Sequence, residues 1–218
     1  MKMAKVHKED FNFFPKTWML PQDANDLRNQ FNKKKCKTFI IKPTHMCQGR
    51  GIYLVRRFED IDLKTGEQLV AQRYMAKPYL IDNLKFDLRI YVLVYGVDPV
   101  RIFVFKEGLA RFATEEYTGP TKGNLENLYM HLTNYAINKN SDNFIKGEDE
   151  DDDSGHKRSF SSVLAYMEET ERERGFSADR MMDEIESICV KTVLSVQPAL
   201  AHAYRSCQPD DFENSMCF

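Results

Sequence analysis

The sequence has no apolar run approaching the roughly 18 residues that a membrane-crossing helix requires. Its N-terminal lysines are not followed by the apolar stretch of an export signal either. A soluble, cytosolic chain is therefore the expectation. A surplus of one charge is also missing, since 31 basic residues against 33 acidic ones leave a formal net charge of −2. General polyelectrolyte attraction to nucleic acid is not implied, and charge has to be read locally. The five cysteines, Cys36, Cys47, Cys189, Cys207 and Cys217, form no CxxC pair and no Cys/His cluster at zinc-finger spacing. Their odd number and spacing fit a reduced, intracellular compartment. Neither the GxxxxGK(S/T) Walker loop nor the GxGxxG dinucleotide fingerprint is present.

What the chain does have is material for a core. Its 218 residues, 42% hydrophobic and 12% aromatic, support one globular unit or two lobes sharing an interface. Residues 1–35 read as a lead-in that packs against a neighbour, with Phe11, Phe13, Phe14 and Trp18 among charges and with Pro15 and Pro21 breaking any long helix. A sheet-rich stretch, 36–140, follows. Strand character is expected at Thr38 to Ile41, Ile52 to Val55, Gln68 to Met75, Phe86 to Tyr95 and Val100 to Phe105. Asp82-Asn83 marks one turn, and Gly96, Asp98 and Pro99 mark the turn of an antiparallel hairpin. Between Asn124 and Asn140, leucines at helical spacing compete with turn-favouring asparagines, so the type stays open. Residues 141–158, holding the acidic run Glu148 to Asp153, read as a mobile surface loop, and 159–218 as two helices. In the second of these, Met181, Ile185, Ile188, Thr192, Val196 and Leu200 make one apolar face, which Pro198 kinks or ends.

The densest chemistry lies in Lys85-Phe86-Asp87-Leu88-Arg89. Alternation across a strand puts Lys85, Asp87 and Arg89 on one face and Phe86, Leu88, Ile90, Val92 and Val94 on the other. Two cations flanking one anion suit a phosphate or carboxylate ligand, and equally a solvated salt-bridge ladder. In Cys47-Gln48-Gly49-Arg50-Gly51, glycines let backbone amides approach a polyphosphate, although a plain hairpin turn has the same composition. Lys42, ahead of Pro43, can reach across that loop. The end of the strand at Gln72, Arg73, Tyr74 and Met75 can pair with an adenine edge. Arg111, read as following a strand amid apolar neighbours, needs an anionic partner if buried, such as an acidic substrate. His131, Thr133, Asn134 and Tyr135 form a polar set able to bind a nucleotide or an amino acid, or simply to close a turn.

Taken together and in order, these segments resemble the tubulin tyrosine ligase-like family. The matching strings are Phe14 to Trp18, Ile41-Lys42-Pro43, Cys47 to Ile52, Lys85 to Arg89 and His131 to Lys139. The alanine-containing HLTNYAINK string is closest to the polyglutamylase branch. The resemblance implies an α+β, ATP-grasp-like fold, with a mostly antiparallel central sheet followed by C-terminal helices. It implies ATP-dependent ligation of free L-glutamate to tubulin or microtubules through an acyl phosphate, with ATP and Mg2+ as cofactors and neither nucleic acid nor membrane as partner. The implied location is the cytoplasm and its cytoskeleton, with microtubules, cilium or basal body as the places. By position, Lys42, Gln48, Gly49, Gln72, Arg73, Tyr74, Met75, Lys85, Phe86, Asp87, Thr133 and Asn134 would contact ATP. Arg111, Tyr135 and Lys157 would bind glutamate, and Lys42, Arg89 and Arg111 would be catalytic.

One departure is Thr44-His45, where the family often has an acidic residue after Lys-Pro. Another concerns the metal. The resemblance places the magnesium carboxylates in a strand and a Glu-Val-Asn motif beyond the Cys217-Phe218 match, and Asp210, Asp211 and Glu213 lack strand context. The expectation is a fragment, truncated before the metal-binding strand and short of the family's N-terminal region, that alone ligates little or nothing. A non-catalytic tubulin-binding module and a ligase for another amino acid, such as glycine, are the alternatives.

Overall fold

The computed structural model describes residues 2–33, 37–63, 66–147 and 155–207. The acidic run Glu148 to Asp153 lies outside them, as do Asp210, Asp211, Glu213 and the Cys217-Phe218 pair.

Two four-stranded antiparallel sheets carry the fold. A short helix α1 (Lys2–Val6) precedes the first sheet, whose strands are β1 (Thr17–Leu20), β2 (Phe39–Pro43), β3 (Tyr53–Val55) and β4 (Leu69–Arg73), in the order β1-β4-β2-β3. Alternation along β2 sorts its side chains. Phe39 and Ile41, both fully buried, join Trp18, Leu20, Leu27 and Val55 in one core. Helix α2 (Ala24–Phe31) covers that face, pinned by a 2.6 Å bond from Trp18 Nε1 to Asp26 Oδ2. Residues 17–31, within the stretch read as a lead-in, thus supply both a strand and its covering helix. The opposite face of β2 carries Ile40 and, two residues on, Lys42. Ile40 packs with Leu54, Tyr74 and Leu132.

The second sheet has the order β5-β6-β7-β8, with β5 (Leu80–Ile81), β6 (Leu84–Val97), β7 (Val100–Phe112) and β8 (Lys157–Ser159). Asp82 and Asn83, with φ of 55° and 60°, make the tight turn between β5 and β6. The hairpin expected around Asp98-Pro99 is present but longer than expected, because β7 continues to Phe112. Arg111 therefore lies within a strand, opposite Asp87, rather than after one. The hydrophobic face of β6 behaves as its alternation requires, with Phe86 and Leu88 packing beside Phe112 and Val163.

The undecided stretch from 124 to 140 holds two single-turn helices, α3 (Leu128–His131) and α4 (Tyr135–Asn138), separated by extended backbone. Among the described residues beyond β8 are three α-helices rather than two helices: α5 (Phe160–Glu171), α6 (Ala178–Leu194) and α7 (Gln197–Cys207). Ser159 caps α5, its Oγ accepting from Ser162 N at 3.1 Å. The Glu107 carboxylate accepts from the Phe160 and Ser161 amides at 3.0 and 3.1 Å, which fixes where α5 leaves the sheet. Pro198 stands in the first turn of α7, where its missing N–H costs no helical bond, so it opens a helix rather than kinking one. Helix α7 rests Ala201 and Tyr204 on Val97 and ties down the hairpin turn through an Arg205–Asp98 ion pair.

Gly108 sits where β7 bulges, the register passing from Ile90 opposite Gly108 to Val92 opposite Val104. A Cβ there would lie 2.4 Å from the Arg89 carbonyl oxygen and 3.5 Å from Phe160 Cβ. Backbone cannot yield as a side-chain end does, so Gly108→Ala is expected to destabilise the protein by about 2 kcal/mol. Urea unfolding followed by tryptophan fluorescence checks this, and an unchanged midpoint would refute it.

Candidate functional site

The site forms where the second face of the first sheet meets β6. From β2, Lys42 donates to Gln72 Oε1 on β4 at 2.9 Å, and Gln72 Nε2 donates in turn to Thr17 Oγ1 at 2.9 Å. This chain crosses three strands, and among the described residues it brings Lys42 no carboxylate. From β6, Lys85 donates to the His131 carbonyl oxygen at 2.7 Å and to the Tyr74 hydroxyl at 3.2 Å. Two ammonium groups from different sheets thus approach one another. Burial pulls the Lys85 ammonium down to about 8; nearby Asp87 opposes this, and Lys42 adds to it. Burial likewise lowers Lys42.

Asp87 lies two residues along the same face of β6. Arg111 on β7 donates to it through Nε at 2.8 Å and Nη2 at 2.6 Å, and Thr133 Oγ1 donates at 2.8 Å. The forked bond to Asp87 raises the Arg111 guanidinium, with burial opposing. The partner that a half-buried Arg111 requires is therefore this internal carboxylate. Arg89, next on the same face, is exposed and has no ion-pair partner among the described residues. Phe86 points the other way and stacks on Phe112 at 5.2 Å, so its side chain does not join the cations.

The glycine-containing loop closes over this region. Gln48 and Gly49 have φ of 60° and 86°, and a Cβ on Gly49 would fall 2.7 Å from Ile137 Cδ1 and 3.0 Å from Asn134 Cγ. The loop thereby seats on Asn134, the residue just ahead of α4. Thr44 ties down this end of β2, its amide and hydroxyl both donating to the Gln68 carbonyl at 3.1 Å. Of the segment Gln72 to Met75, Tyr74 is buried, Arg73 is exposed, and Met75 is 60% exposed at the start of the linker to β5.

Beside the Asp87–Arg111 pair is a cavity of about 580 Å³ that brings together Arg111, Thr133, Tyr135 and Lys157. Lys157 is opposite Arg111 in the β7–β8 ladder. Sequence reasoning missed Lys146, His156 and Arg158, which also line the cavity. Lys146 arrives on an arm that folds back through paired bonds: Ile145 N donates to His156 Nδ1 at 3.0 Å, and His156 N donates to the Ile145 carbonyl at 3.2 Å. The ring of Phe144 bridges Tyr135 and His156, each 5.8 Å away. No local pattern announces Lys146, because only this arm carries it to the cavity. No acidic side chain among the described residues lines the space.

Half-buried lysines from both sheets thus stand near a cation-lined cavity on a two-sheet α/β scaffold. The chain belongs to the tubulin-tyrosine ligase family, whose pattern it matches over residues 1–216. It is 50% identical over its whole length to a probable beta-tubulin polyglutamylase of Tetrahymena thermophila and covers 18% of that protein. It is 46% identical to the tubulin polyglutamylases ttll6 of Danio rerio and TTLL6 of Homo sapiens, again along its whole length, covering 27% and 23% of them. The polyglutamylase branch read from HLTNYAINK agrees with these relatives. The chain spans about a quarter or less of the length of the relatives it matches. Among the described residues, no helix is long and apolar enough to cross a membrane.

Lys85 makes stability depend on pH. Its folded value of about 8 lies below its ordinary 10.5, so between these pH values the unfolded state binds more protons and stability rises with pH. Lys85→Met is expected to remove a rise of about 2 kcal/mol, read by urea unfolding near either end of that range. An equal rise in the variant would show that Lys85 is not its source.

Proposed function

We propose that this chain forms the nucleotide- and glutamate-binding part of an ATP-dependent ligase that adds glutamate to tubulin. The observation that carries the reading is a half-buried lysine pair, Lys42 and Lys85, on one side of the Asp87–Arg111 bridge and a cation-lined cavity on the other. The ammonium groups of Lys42 and Lys85, both lowered by burial, fit a triphosphate, because an anion between them restores the charge that burial disfavours. Gln48 and Gly49 cover the phosphates, Gln72 to Met75 flank the adenine, and Thr133 and Asn134 fix the loop beneath. Bound ATP supplies the phosphoryl group that makes the acceptor carboxylate reactive. In the neighbouring cavity, Arg111, Tyr135 and Lys157 orient glutamate, while exposed Arg89 faces the acceptor.

Holding these anions together is the main task of the protein, since positioning alone can supply several kcal/mol of a barrier. Among the described residues, no group of three or more His, Cys, Asp or Glu side chains could hold a metal. Asp87 is already engaged by three bonds within the protein. A cytoskeletal location, including the cilium, follows from the same reading.

Transfer of labelled glutamate to microtubules by a longer ligase that contains these residues, with ATP present or omitted, tests it. Lys157→Ala and Arg111→Ala are each expected to lower kcat/KM for glutamate about 100-fold. Glycine, which lacks the side-chain carboxylate, is expected to be a poor substrate. Equal use of glycine would overturn the glutamate assignment, and microtubule binding without transfer would favour a non-catalytic tubulin-binding module.

A further inference from the structure

His131 is completely buried, yet both its ring nitrogens are engaged within the protein. Its Nε2 lies 3.0 Å from the Asn124 carbonyl oxygen. A carbonyl oxygen can only accept, so Nε2 carries the proton. Burial holds the imidazole below its ordinary range, the Asn124 bond opposes that, and Lys85 adds to it, which leaves the ring neutral. Nδ1 is then a bare lone pair, and the Tyr74 hydroxyl, 2.9 Å away, must donate to it. The Tyr74 oxygen consequently offers its lone pairs to the Lys85 ammonium at 3.2 Å, and the neighbouring Tyr117 hydroxyl sends its own proton to the Ala76 carbonyl at 3.0 Å.

The chain has fixed ends. At one end, Lys85 has only donors to give, and it also donates to the His131 carbonyl and lies 4.6 Å from the centre of the Tyr74 ring. At the other end, the Asn124 side chain is held by three bonds: Thr121 N donates to it at 2.7 Å, and its amide donates to Thr118 Oγ1 at 3.1 Å and to the Gly119 carbonyl at 3.0 Å. Both His131 ring nitrogens and the Tyr74 proton are therefore committed within the protein, although both residues belong to segments with the chemistry of a binding site.

We propose that Tyr74 and His131 are positioning residues for Lys85. They form a hydrogen-bond chain of single polarity, from Lys85 through Tyr74 and His131 to the Asn124 carbonyl, that aims the ammonium at the anion between the two sheets and keeps it cationic. The identity of that anion as a triphosphate rests on the proposed function; the chain itself does not. A hydrogen bond to the charged form of a group favours that form, so removing the Tyr74 oxygen makes Lys85 lose its proton more easily.

The full chain, with its lysine side-chain amines isotopically labelled, can be titrated by NMR, the Lys85 signal being assigned by its loss in Lys85→Met. Tyr74→Phe keeps the ring and is expected to lower the Lys85 midpoint by about half a unit or more. His131→Leu, which leaves the Tyr74 hydroxyl without its acceptor, is expected to shift it in the same direction, and either variant decides if the other does not fold. Binding of inorganic triphosphate is expected to weaken about threefold more near pH 8.5 than near pH 6.5, where Lys85 stays charged in every variant. A midpoint unmoved in the folded variants, or a loss of binding equal at both pH values, would overturn the proposal. A shifted midpoint in a chain that binds no triphosphate would uphold the chain and refute the nucleotide reading.

Discussion

Asp87 accepts from Arg111 through two parallel bonds and from Thr133 through a third, and those bonds join β6, β7 and the turn ahead of α4. The geometry of the site depends on this knot. With β6 held against β7 in that register, the alternation of the strand puts Lys85 on the same face as Asp87, within electrostatic reach of Lys42. The turn drawn in by Thr133 in turn carries Asn134, on which the glycine-containing loop sits. A forked guanidinium–carboxylate pair suits this role because it fixes direction as well as distance.

Against that ordered background, Lys42 and Lys85 stand out as unfavourable for folding alone. Two half-buried ammonium groups approach each other, and their hydrogen bonds go to neutral oxygens. A core optimised only for stability would place a carboxylate or an apolar side chain there. A bound anion resolves the conflict, and perturbed groups of this kind concentrate at functional sites. Arg111 shows the contrasting case, since its charge is matched within the protein by Asp87.

Much of this was legible from residue order. The two faces of β6 followed from the period of a strand, and Phe86 and Leu88 pack as that period requires. Asp82-Asn83 and Asp98-Pro99 marked turns because their backbone preferences are local. The extent of β7 was not legible, since Gly108 interrupts the pattern and only pairing with β6 keeps the strand going to Phe112. Helices α3 and α4 escaped assignment because single turns have too few residues to show a period, and they owe their existence to the contacts of Leu132 and Asn138. The side chain of Asn138 bonds the Leu132 and Asn134 carbonyls at 2.8 and 3.1 Å.

The sequence by itself determined the family, the alternating faces of β6 and the types of residue available to bind anions, because each of these is written in local order and spacing. The tertiary structure alone decided which charges meet: Lys42 with Lys85 across two sheets, Arg111 with Asp87, and Lys146 with Lys157 on one cavity wall through the returning arm. It also decided that His131 and Tyr74 face inward. The physical reason is that a charge or a ring nitrogen takes its role from its nearest partner, and those partners are brought close by packing between segments distant along the chain.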